Sequence, residues 1–95
     1  MSKRDEYVAK MKQQLDEANK QVGELEKRFH QASDDVKARY QENLVEMRQR
    51  RLEIEKKLEE MRAAGEQRWK ALKGQIEYTW KAFQDSVSYF KSHFK

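Results

Sequence analysis

The best-placed pair of side chains for chemistry in this 95-residue chain is Glu26 with His30. Four residues apart on a helix, they share a face, and a carboxylate beside an imidazole could begin an acid–base pair or a metal site. The unit is incomplete. A helical di-iron site takes several carboxylates and a Glu-x-x-His from each of two helices. The chain has only two histidines, His30 and His93, and neither stands in that spacing. His30 follows Phe29 and flanks an apolar seam beside an expected turn, where a solvated imidazole accounts for it. Three isolated glycines make no phosphate-cradling loop, and no Ser/His/Asp set can be assembled. With no cysteine there is no thiolate site and no disulfide. The expectation is a protein that is not an enzyme, with no catalytic residue, cofactor or metal.

Binding chemistry has more to work with. Residues 66–95 hold seven of the ten aromatics, Trp69, Tyr78, Trp80, Phe83, Tyr89, Phe90 and Phe94, and six Lys/Arg against three Asp/Glu. Residues 1–65 are nearly balanced, with 15 against 14. At 100° per residue the line from Trp69 through Phe94 occupies roughly 80° of arc, with Tyr78, Tyr89, Ala71 and Ala82 nearly opposite. Lys70, Lys73, Lys81, Lys91 and Lys95 gather on one flank. An aromatic stripe beside lysines suits an anionic membrane surface. It also suits a helix packed on a helical hairpin with lysines snorkelling at its margin, the reading favoured by the seams upstream. The opposite Tyr/Ala line suggests a second contact surface. Nucleic acid is disfavoured, because Glu66, Glu77 and Asp85 interrupt the lysines, and Arg48-Gln49-Arg50-Arg51 runs directly into Glu53 and Glu55.

The elements that position these groups follow from a ladder of apolar residues at gaps of three and four, unbroken by any proline. Val8, Leu15, Val22 and Phe29 alternate with Met11, Ala18, Leu25 and Ala32 as a regular heptad, which predicts a helix over about 3–30. Gly23 is a weak point in it, costing about 1 kcal/mol against alanine. The phase slips at Val36, Tyr40 and Leu44. Either a stutter runs through a continuous helix, or residues 30–35 turn, with Ser33 as N-cap and Asp34 and Asp35 in the first turn. A second helix over about 34–63 carries Leu44, Met47, Ile54, Leu58 and Met61. A further line, Ala38, Val45 and Leu52, lies about 100–140° away, and two seams imply two neighbours. Arg51 falls on the main line, as a snorkelling side chain or a register-setting polar group. Ala63-Ala64-Gly65 ends this helix, with Gly65 suited to a left-handed C′ position. A third helix spans about 66–92, along Trp69, Leu72, Ile76, Trp80, Phe83, Val87, Phe90 and Phe94.

The opening Met-Ser-Lys-Arg-Asp-Glu-Tyr-Val-Ala-Lys-Met-Lys-Gln-Gln-Leu-Asp-Glu resembles a family of small bacterial coiled-coil domain-containing proteins. The likeness continues through Ala38-Arg39-Tyr40-Gln41-Glu42, Lys57-Leu58-Glu59-Glu60-Met61, Trp69-Lys70-Ala71-Leu72-Lys73 and Phe94-Lys95, generic helix composition apart from the N-terminal stretch. It implies a small bacterial helical protein and carries no activity with it. The last third is more aromatic than that family leads one to expect.

The expectation is one all-α domain over residues 1–95: an antiparallel coiled-coil hairpin with a third, amphipathic, aromatic-rich helix packed along it as a three-helix bundle. Short connections and similar helix lengths favour that up-down-up path. With no apolar signal core and no apolar run near the ~18 residues of a membrane span, a cytoplasmic protein is expected. Its function is expected to be that of an interaction or scaffold protein, contacting itself or a larger protein complex through Trp69, Trp80, Phe83, Tyr89 and Phe90. A membrane-surface protein using the same helix is the alternative.

Overall fold

The structure, a computed structural model, describes residues 2–93. Three helices follow one another: α1 (Lys3–His30), α2 (Asp34–Arg62) and α3 (Glu66–His93). Their limits come from local chemistry. Ser2 caps α1, its hydroxyl accepting from Asp5 N at 3.1 Å, and Asp5 and Glu6 sit in the positive first turn. Lys27, Arg28 and His30 occupy the negative last turn.

The phase slip is a turn. Ser33 has extended φ and ψ and its Oγ accepts from Val36 N at 3.5 Å, so the chain leaves α1 and re-enters as α2 within Gln31–Ser33. The second joint departs from expectation. Gly65 does not take a left-handed conformation, since no described residue has positive φ. Instead the Ala63 and Ala64 amides bond back to Glu60 and Met61, closing α2 with tight turns. The Gly65 carbonyl then accepts from Trp69 N at 3.0 Å, making Gly65 the entry to α3. Arg4 reaches across and donates to the Ala64 carbonyl at 2.8 Å, tying the start of α1 to this joint.

Helices of 28 or 29 residues are about 42 Å long, and the molecule measures 49 × 18 × 18 Å. The helices therefore lie side by side along one rod. Cross-helix pairs give the directions. Lys12–Glu59 and Arg48–Glu26 run α1 against α2; Arg68–Glu60 and Lys57–Gln75 run α2 against α3. Phe29 meets Phe90 at 6.3 Å, and Lys73 lies over the Tyr7 ring at 5.5 Å, so α1 and α3 are parallel. This is an up-down-up three-helix bundle.

The core is the shared interior of the rod. Val8, Met11, Leu15, Val22, Leu25 and Phe29 of α1 meet Leu44, Met47, Ile54, Leu58 and Met61 of α2, and both meet α3. Helices α1 and α2 form the expected antiparallel hairpin, and within the bundle the closest pair is α2 with α3. The seam between α1 and α3 is the loosest. There Trp80 stacks on Phe83 at 5.7 Å, and with Ala18 these rings line a groove of about 420 Å3.

Midway along the rod the apolar packing is interrupted. The pairings above put Asn19, Arg51 and Thr79 within about one turn of the same level. Thr79 is buried, Arg51 is half-buried, and Asn19 Oδ1 is shielded without a hydrogen-bond partner among the described residues.

Candidate interaction surfaces

Glu26 and His30 do not form a unit. The Glu26 carboxylate accepts from Arg48 Nε at 3.0 Å, which joins α1 to α2. His30 is exposed, its ring edge-on to Phe29 at 5.8 Å. His93, on the last turn of α3, stacks on Tyr89 at 4.2 Å. Among the described residues no cluster of three or more His, Cys, Asp or Glu could hold a metal ion.

The α3 aromatics proposed for partner contact divide sharply. Phe83 and Phe90 have no exposed surface, and Trp69 is buried, its Nε1 donating to Glu66 at 3.3 Å. Trp80 is half-buried against Phe83. In this fold these four rings are spent on the bundle itself, because their stripe is the one apolar face α3 can turn to α1 and α2. Tyr89 stays outside, 48% exposed. Phe94 lies outside the described residues. A lipid surface could use this stripe only if α3 first left the bundle. Among the described residues, no helix is long and apolar enough to cross a membrane.

What remains outside is more limited. Among the described residues, the exposed large apolar side chains are Val45, Leu52, Tyr78 and Tyr89. They form two lines. Tyr78, 79% exposed, and Tyr89 stand on α3 with Ala71 between exposed polar neighbours. Val45, 42% exposed, and Leu52, 56% exposed, stand on α2 with the exposed Ala38.

The second line on α2 therefore does not face a neighbouring helix, contrary to the expectation of two seams for two neighbours. Helix α2 does touch both α1 and α3. Those helices lie side by side, however, and one broad face through Leu44, Met47, Ile54 and Leu58 serves both. Ile54 is nine residues from Val45, half a revolution away at 100° per residue and more than the 100–140° expected, so Val45 points directly away from the core.

One other group is held in an unusual setting. The Tyr7 hydroxyl is shielded and has no hydrogen-bond partner among the described residues. Burial, with Glu77 adding a smaller effect, pushes its pKa up to about 12. Lys73 stands over the ring, not at the hydroxyl. Tyr7 thus fastens α1 to α3 as a neutral ring.

Sequence reasoning missed Thr79. Its place between Ile76 and Phe83, at gaps of three and four, carried the signal. Compared with known proteins, the chain matches no family model, no curated protein and no solved structure.

Proposed function

We propose that this chain is a non-enzymatic interaction protein, a rigid helical rod that presents apolar lines on its outer faces to itself or to a larger protein complex. The observation that carries this reading is the α2 line. Val45 and Leu52 are large aliphatic side chains, spaced by one heptad, on a helix whose core side is already satisfied. The core is complete without them. A helix that keeps apolar groups in register on its solvent side has the pattern of a surface that another helix covers. The α3 line of Tyr78 and Tyr89 offers a second such face, with tyrosine the more suited to a partly wet contact.

The resemblance of the N-terminal stretch to small bacterial coiled-coil proteins agrees with this reading. The membrane-surface alternative is weakened, since Trp69, Phe83 and Phe90 are interior. The test is site-specific photo-crosslinking in cells that make the protein, with a photoreactive phenylalanine in place of Leu52 or Tyr78, and of the exposed Lys20 as control. Discrete protein adducts are expected from the two apolar faces and not from the control. Absence of a discrete adduct from either face overturns the proposal.

A further inference from the structure

The α2 line carries information about its occupant in the charges around it. Near its start stand Asp34 and Lys37, near its end Glu55 and Lys56, and between them Gln41 and Gln49. Ion pairs are common elsewhere on this helix: Glu46–Arg50, Glu53–Lys57 and Glu26–Arg48 are all made. Among the described residues, Asp34, Lys37, Glu55 and Lys56 belong to no ion pair.

These unused charges are arranged with a symmetry of their own. In two antiparallel helices related by a two-fold axis, a residue faces the one equally far from the axis on the other side. With the axis at Val45, the small Ala38 falls opposite the large Leu52, and Gln41 opposite Gln49. Asp34 falls opposite Lys56, and Lys37 beside Glu55. Each of these pairs is complementary in size, hydrogen bonding or charge; on the opposite flank Asp35 falls beside Glu53, whose charge Lys57 already pairs. A parallel pair does the reverse, setting Asp34 against Asp34 and Lys56 against Lys56, which like-charge repulsion penalises.

We infer that the α2 outer face binds a second copy of this chain in antiparallel register, with the two-fold axis at Val45. This rests on the interaction reading above and names the partner of one of its faces. The contact from residue 34 to 56 is about 33 Å long and one helix wide. Such a contact falls near or below the ~1,200 Å2 that marks a stable association. The dimer is therefore a weak, exchanging one, with a dissociation constant of about 10–100 μM. The α3 tyrosines remain free in it for another partner.

The chain has no cysteine, so single cysteines report the register directly. Full-length Val45→Cys should form a disulfide-linked dimer with itself under mild oxidation. Ala38→Cys alone should link at least about tenfold more slowly, because two copies of position 38 lie about 21 Å apart along the axis, beyond the ~7 Å limit for a disulfide. Ala38→Cys mixed with Leu52→Cys should give the mixed dimer. These sites are exposed, and helical circular dichroism checks each variant's fold. Separately, Lys56→Asp should weaken dimerisation about tenfold through two symmetric contacts, and Asp34→Lys added to it should restore the dimer.

Self-linking of Ala38→Cys as fast as Val45→Cys overturns the antiparallel register, and failure of Val45→Cys to link overturns self-pairing about Val45. In that second case, discrete photo-adducts at position 52 with other masses would leave the interaction reading standing. Loss of both results removes both claims.

Discussion

Truncating two leucines six residues apart on α2 separates the core face from the outer face in one comparison. Leu58 is 1% exposed. Removing its side chain to alanine loses the transfer energy of the deleted carbons and leaves a cavity between three helices, which costs about 3–4 kcal/mol. Leu52 is a little under half hidden. Full burial of leucine is worth about 2 kcal/mol, so its share is about 1 kcal/mol, and the better helix propensity of alanine returns about 0.2 kcal/mol. For a domain of this size 1 kcal/mol shifts Tm by about 4–8 °C. Thermal unfolding followed by circular dichroism should then show Leu58→Ala lower by about 12–30 °C and Leu52→Ala by less than about 7 °C. The measurement belongs at about 1 μM protein, where the weak dimer is dissociated. At concentrations well above the dissociation constant Leu52→Ala should lose further ground to wild type, because it also removes the dimer's mass-action stabilisation. Equal losses for the two variants at low concentration would refute the assignment of opposite faces.

Other consequences test separate parts of the account. Gly23→Ala and Gly74→Ala should each raise stability by about 1 kcal/mol, since each glycine is helical and an added methyl meets nothing within 4 Å; denaturant midpoints check this. Ser33→Ala should cost about 1 kcal/mol by removing the α2 cap, read in the same assay. Tyr7 ionises near pH 10.0 when unfolded and near 12 when folded. Its contribution is thus intact below pH 10.0 and declines as pH rises towards 12, so Tyr7→Phe should lessen the alkaline loss of stability relative to wild type. Trp69 emission should be blue-shifted in the free protein and unmoved by anionic vesicles, and a further lipid-dependent shift lost at high salt would favour the membrane alternative.

Much of the fold was legible because helix ends are written in local chemistry. The expected limits of 3–30, 34–63 and 66–92 lie within one residue of those observed. Ser33 with two aspartates announces a cap whatever surrounds it. Gly65 was misread in conformation because a glycine beside a break suits either side of it, and only the bond from Trp69 N shows that it begins α3. Apolar spacing reports that a face can be covered, but not by what. Phe83 and Phe90 look like interface anchors on a wheel and are interior in the bundle. Val45 and Leu52 look like a second internal seam and stand in solvent. The half-turn between Val45 and Ile54 is already in the periodicity, but that three helices meet on one broad face of α2 is a tertiary fact no single helix encodes.

The most direct measurement of the central claim is the mass of wild type and Leu52→Glu against concentration, by sedimentation equilibrium from about 1 to 300 μM, bracketing the weak-affinity range. The account predicts that wild type passes from one chain to two with no larger species, and that Leu52→Glu stays a single folded chain throughout. A wild type that remains one chain at the highest concentration, or a Leu52→Glu that dimerises equally well, would contradict it.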